Sequence, residues 1–249
     1  MNNVATVSDT KRAFYSVHAR PISPLYRRVI EELLVEAHLL SVNTSFAYDP
    51  IYALGVVTGY DRFLDGYRPE ADQASMFKAL CAALEANPEQ YRQDAQALLD
   101  GIGANDLKTV ASWLAGNTAA APSPLKETVE SIAQRSLFKY SRLFAIGVYS
   151  LLEKADPDFS KQKEADRLEL LNRISEGLHL PQEKLQKDID NYVRNLDNMT
   201  QAKVVMREAV EAERKKREKR EQEKQAREAA KDSEKAAEPG VDASSASAS

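Results

Sequence analysis

Cysteine is almost missing from this chain: Cys81 is the only one in 249 residues. An intrachain disulfide is therefore excluded, and a reducing compartment is expected. Glycine is scarce too, nine in all, and most of it falls at the ends of apolar stretches; a β-rich fold would use more of it in turns. No apolar run approaches the roughly 20 residues that a bilayer-crossing helix needs. The longest, Leu143–Leu152, is interrupted by Gly147 and Ser150. Met1–Asp9 is polar, without a charged n-region or an apolar h-region, so no signal peptide is read there. Gly-rich phosphate loops and Ser or Cys nucleophile motifs are also lacking.

What is present suits a helical protein. Apolar residues make up 43% and charged residues 29%, enough for a core and slightly more than the usual quarter for charge. The net charge of −4 and the pI of 5.6 argue against general nucleic-acid binding. Charge is unevenly placed. Lys203–Glu238 holds 12 basic and 10 acidic residues, leaving 22 basic and 27 acidic before it. The body is acidic, whereas the tail is nearly neutral and densely charged.

Ser23-Pro24, Asp49-Pro50, Asn87-Pro88 and Ser123-Pro124 each open an apolar-periodic stretch. Ser, Asp and Asn accept hydrogen bonds from first-turn N–H groups, and Pro has no N–H to lose there. Asp156-Pro157 is a possible fifth start. This predicts helices over Ser8–Ala19, Pro24–Val42, Pro50–Leu64, Ala71–Ala86, Pro88–Asp100, Asp106–Leu114, Pro124–Arg135, Leu137–Ala155 and Lys161–Glu176, with Gly177 as a C-terminal cap. The Pro24–Val42 helix, apolar at Leu25, Val29, Leu33, Ala37 and Leu40 and broadened by Ile30 and Leu34, is placed at the centre. NTAAAPSP, from Asn117, reads as a loop. The fold expected is all-α, a single multi-helix domain with a long, charged C-terminal helical extension: body 1–180, long helix 181–238, disordered tail 239–249. Leu185, Ile189, Tyr192, Leu196 and Met199 keep a 4-3 spacing, resumed at Met206 and Val210, a short coiled-coil-like seam. Beyond it Glu211–Arg214, Glu213–Arg217, Glu221–Lys224, Glu223–Arg227 and Glu228–Lys231 can pair along the helix.

Four constellations could carry chemistry. Glu176-x-x-His179 has di-iron spacing, but only one copy exists and Gly177 interrupts it; no metal and no cofactor is expected. Glu32, Glu36 and His38 could form an acid/base site if buried, with a solvated or ion-paired face as the plainer reading. Gly55-Val56-Val57-Thr58-Gly59 predicts close backbone packing between soluble helices, and Gly147 is a further candidate for that role. Arg12, Tyr15, His18, Arg20, Tyr26, Arg27 and Arg28 crowd the first two helices. Arg and Tyr anchor interfaces, so Arg12, Tyr15, His18, Arg20, Arg27 and Arg28 are the candidate partner-binding set. The alternative, left open here, is that the Tyr rings enter the core and the Arg groups pair with Glu31 and Glu32.

The string TVSDTKRAFYSVHARPISPLYRRVIEELLVEAHLLSVN (Thr6–Asn43) resembles the thylakoid formation protein family, also called photosystem II biogenesis proteins. FAYDPIYALGVVTGYDRFLDGYRPE (Phe46–Glu70) and FKYSRLFAIGVYSLLEKA (Phe138–Ala155) extend the resemblance, which spans roughly Thr6 to Met206. It implies an all-helical, non-enzymatic accessory protein of photosystem II biogenesis and repair. It also implies a partner, an FtsH-type membrane protease complex, and a cytoplasmic location, peripheral on the thylakoid membrane surface. Because the matched block begins close to Met1, a cyanobacterial member is expected. A coiled-coil scaffold or signalling protein acting through the tail, and an enzyme using Glu32, Glu36 and His38, are the competing readings.

Overall fold

The computed structural model describes residues 5–236, with side chains as far as residue 226. It is all-α, without a strand among the described residues. The helices are α1 (Val7–Val17), α2 (Pro24–Ser41), α3 (Pro50–Leu64), α4 (Ala71–Ala83), α5 (Pro88–Ile102), α6 (Leu107–Leu114), α7 (Ser123–Ala133), α8 (Arg142–Ala155), α9 (Glu164–Gly177) and α10 (Gln182–Ala236). One compact unit runs to Asp197 and a second begins at Asn198. The first turns of α10 therefore belong to the first unit. The disorder expected over 239–249 lies outside the described residues. No described helix is long and apolar enough to cross a membrane.

The starts follow local chemistry closely. The Asp49 carboxylate accepts from Tyr52 N–H and Asn87 Oδ1 from the N–H groups of Glu89 and Gln90. Ser23 and Ser123 also precede Pro, but their hydroxyls make no capping bond; Ser123 instead donates to Glu127. Asp156 begins no helix. It ends α8, and its carboxylate accepts from Asp158 N–H and the Gln162 amide. Leu137–Ser141 is not helical either, because Ser141 caps α8 by accepting from Phe144 N–H at 3.0 Å. Gly177 is the last residue of α9 and no cap: the positive φ falls at His179 (53°). A Cβ on Gly177 would overlap the Ala115 carbonyl, so its role is close approach.

α3 and α8 form the centre, in place of α2. Every residue of Leu143–Leu152 is buried, whereas Leu25 and Val29 of α2 are only partly so. The crossing depends on Gly55 and Gly147: a Cβ on Gly55 would overlap the Leu143 carbonyl, and one on Gly147 the Ile51 carbonyl. The partner of Gly55 is thus Gly147 on the facing helix. Gly59, expected to share that role, would present its Cβ only to Ile146 Cδ1 at 3.8 Å, an ordinary contact. Leu185, Ile189 and Tyr192 of α10 are buried, and the Tyr192 ring meets those of Phe63 and Tyr149. The stripe read as a coiled-coil seam therefore packs here against this chain's own helices. In the second unit Met206 and Val210, expected to continue it, are exposed at 42% and 63%. Arg214–Glu218, Arg217–Glu221 and Lys219–Glu223 pair along that helix. Arg217 thus reaches forward to Glu221, not back to Glu213.

Gly55→Ala should destabilise the fold by roughly 3 kcal/mol, the upper end for overpacking, which lowers Tm by about 6–12 °C in a chain this long. Gly59→Ala should instead raise Tm slightly, since Ala favours a helix by about 1 kcal/mol over Gly. Equal Tm changes in the two variants would remove the Gly55–Gly147 crossing as the organising contact.

Burial raises the Asp49 carboxyl from 3.8 to about 6. Between those values the folded state binds more protons than the unfolded one, so this group's contribution is complete below pH 3.8 and lost as pH rises through 6. Asp49→Asn keeps the acceptor for Tyr52 N–H and removes the charge. Its Tm at about pH 7.5 should match or exceed that of the parent chain, by up to about 3 kcal/mol of stability, and its profile from pH 4 to 6 should flatten. A large loss at about pH 7.5 would show that the ionised carboxylate is needed.

Candidate functional site

The Arg- and Tyr-rich N-terminal helices fold so that their charges separate into two groups. α1 lies against α2 and α4 and is pinned by two buried histidines. Thr10 Oγ1 is 2.8 Å from His38 Nδ1, and His18 Nδ1 is 3.0 Å from Ser75 Oγ. His18 Nε2 is buried with no hydrogen-bond partner, and burial lowers the ring's pKa. Arg20 pairs with the buried Asp72 on α4.

α2 then leads away with an outward face that borders an open groove of about 1010 Å³, lined from Pro24 to Asn43 on one side and by Lys139–Arg142, Lys184 and Asp188 on the other. Glu31 accepts from Lys11 Nζ at 2.8 Å and from Tyr15 Oη at 3.1 Å; the Lys11 bond in particular holds its carboxyl below the usual range. Arg28 pairs with Glu32 at 3.1 Å. Arg142 donates twice to Glu36 Oε2, at 2.9 and 2.5 Å. Tyr140 donates to Asp188 at 2.9 Å, and Lys184 Nζ lies 5.2 Å from the Tyr140 ring centre. Burial first, then Asp188, pushes the Tyr140 phenol well up. Arg27 and Lys139, also in the lining, form no ion pair among the described residues. Six cations thus face four carboxylates.

The six sequence-expected residues do not form one surface. Arg27 and Arg28 line the groove, and Tyr15 reaches its Glu31. Arg12 is exposed and pairs with Asp9 on its own helix, and His18 and Arg20 belong to the α1–α4 contact. His18 is 2% exposed, so it is no partner contact. The two open alternatives for the Arg and Tyr residues both hold in part. Tyr26 is buried against Tyr67, and Tyr52 and Tyr91 share one aromatic cluster, while Arg28 pairs with Glu32. Glu32, Glu36 and His38 make no acid/base site: each is engaged with a different residue, Arg28, Arg142 and Thr10.

Sequence reasoning missed Lys11, Lys139, Arg142 and Lys184. Arg142 carried a signal that becomes legible only once α8 is known to start there and not at Leu137. A cation in a helix first turn meets the positive end of the dipole, so it needs a carboxylate partner. Lys139 and Lys184 carried none, being brought together only by the packing of α8 and α10.

The Thylakoid formation protein family model matches residues 6–221. Protein Thf1 of Nostoc punctiforme is 53% identical over 219 residues, covering 86% of this chain and 92% of that protein. Protein Thf1 of Cyanothece sp. is 51% identical over 215 residues, covering 86% and 91%. The solved structure of Psb29 at 1.55 Å superposes with a TM-score of 0.74 at 43% identity, covering 86% of this chain and 98% of the other.

Because the folded-state pKa of His18 is depressed below 6.5, its contribution to stability is present above that pH and lost as pH falls through the folded value. His18→Gln keeps an amide to meet Ser75 and cannot gain a proton. Tm measured from about pH 7 to pH 5 should fall more for the parent chain than for this variant. Parallel profiles would show that His18 does not titrate in this window.

Proposed function

The chain belongs to the thylakoid formation protein family, and on that premise we propose that it is a non-enzymatic accessory factor of photosystem II biogenesis and repair, which binds and stabilises an FtsH-type protease complex at the thylakoid surface. The observation that carries the binding role is the groove along α2. It is open and edged with charge, and it has an apolar strip, Val35 and Leu39, in its lining. Enzymes enclose their reacting groups and shift their titrations against each other; here the carboxylates are each tied to a cation or a phenol in an open cleft. Such an arrangement suits recognition, where charge sets partner choice and approach rate.

The scaffold reading keeps one observation of its own. The helix beyond Val210 is exposed on every side through residue 226, so it can act as an arm. Deleting everything after Val210 discriminates the two readings. The body-centred reading expects a Tm change below about 2 °C, the effect of a surface change of ±0.5 kcal/mol, with partner recovery intact.

The tagged full chain, incubated with solubilised thylakoid membranes, should recover FtsH-type subunits. Arg27→Glu combined with Arg28→Glu should reduce that recovery by about thirtyfold, the effect of a hot spot of about 2 kcal/mol. Folding should survive, because the exposed Arg28–Glu32 pair is worth at most about 1 kcal/mol. Absence of FtsH-type subunits with the parent chain sinks the protease reading; full recovery by the folded double variant moves the interface off α2.

A further inference from the structure

We infer that the groove along α2 receives an acidic, amphipathic helix of a partner protein; this rests on the binding role proposed above and specifies what binds. On α2, Val35 and Leu39 lie one turn apart on the face that lines the groove, and the exposed Val42 follows three residues on, just past the end of the helix, while Ile30, Leu34, Ala37 and His38 are buried on the other face. Leu39 is 56% exposed and Val42 39%. A single exposed leucine means little. Two apolar side chains one turn apart in the groove lining, Val35 and Leu39, continued by an exposed Val42 past the helix end, make the stripe that a second helix covers with its own anchors at helical spacing. The lining runs along α2 from Pro24 to Asn43, about 28 Å at 1.5 Å per residue, which accommodates a helix of several turns.

Charge selects the occupant. The carboxylates of the groove are already engaged, by Lys11, Arg28, Arg142 and Tyr140. The cations that make no ion pair among the described residues are Arg27 on the α2 side of the groove and Lys139 and Lys184 on the other. A helix with an apolar face flanked by Asp or Glu would meet a cation on either side. A second copy of this chain offers no such helix in its exposed arm, where Lys and Arg alternate with Glu through residue 226. An anionic lipid surface is flat, and it would press its phosphates against Glu31, Glu32 and Glu36 as well as against the cations.

The test places the photo-crosslinking residue p-benzoylphenylalanine at position 39 of the full chain. After irradiation with thylakoid membranes, the adduct is sequenced by mass spectrometry. The expected product is a peptide with apolar residues at helical spacing and a net negative charge. Its yield should fall about tenfold when Arg27→Glu and Lys139→Glu are added, and also in about 0.5 M NaCl, where the Debye length is only about 4 Å. A peptide from this chain itself, a net basic peptide, a lipid adduct, or no adduct overturns the assignment. An acidic peptide from a protein other than an FtsH-type protease would keep the groove and remove the protease reading. Recovery of the protease without any adduct at position 39 would do the reverse.

Discussion

Where α3 crosses α8, Gly55 and Gly147 each admit a carbonyl of the opposite helix, those of Leu143 and Ile51, into the space a side chain would occupy. Helices with ordinary side chains at a contact are held apart by them, with axes about 8–10 Å apart; here no side chain intervenes at either glycine, and each faces a backbone carbonyl of the other helix. The consequence for α8 is strict. With Leu143–Leu152 wholly buried, there is no place along its middle for an ionised group, since isolated buried charge is prohibitively costly. Its charges, Arg142, Glu153 and Lys154, sit at the ends, and the first two are paired across to other helices. Arg142 in the first turn meets Glu36 of α2, and Glu153 near the last meets Arg62 of α3.

That arrangement generates the groove. Fixing Arg142 on Glu36 ties the start of α8 to the outward half of α2. The Tyr192–Tyr149 contact seats the early turns of α10 on α8, so Lys184 and Asp188 come to Tyr140 in the segment just before Arg142. One wall is then α2, and the other is built from two segments more than 40 residues apart in sequence. The acidic body presents a locally cationic cleft because its carboxylates are consumed pairwise while Arg27 and Lys139 are not.

How much of this was legible depended on the range of the interaction. The Pro24, Pro50 and Pro88 starts, and the bounds of α3, follow from dipeptides and from 3.6-residue periodicity, which act within one helix. The α8 start was misplaced because Leu137 continues the apolar pattern; only the Ser141 cap, worth about 1 kcal/mol, decides where the N–H groups find partners. The centre was misplaced because α2 and α8 carry similarly apolar stretches, and nothing local distinguishes a helix buried on one face from one buried all round when the second also contains Gly and Ser. Gly55-x-x-x-Gly59 signalled a close approach, but the partner glycine lay 92 residues away on another helix. The site was half legible: Arg27 and Arg28 stood out as a basic pair, whereas His18 and Arg20, of the same residue types, are internal ties. Exposure separates these roles, and exposure is a property of the packed chain.

For the acidic occupant proposed above, the two sides of α2 reconcile a net charge of −4 with an acidic partner. Long-range repulsion between two acidic molecules is screened beyond about 8 Å at physiological salt. Inside the groove, the nearest charges decide. There the carboxylates are already matched, so an incoming Asp or Glu meets Arg27 or Lys139 without displacing an existing partner. An incoming Lys or Arg finds Glu31, Glu32 and Glu36 already ion-paired, and at Glu36 it would compete with Arg142, whose contact also positions α8. On the proposed binding, the ion pair that shapes the cleft also disfavours basic segments at Glu36, and the apolar contact falls to Val35 and Leu39 in the lining.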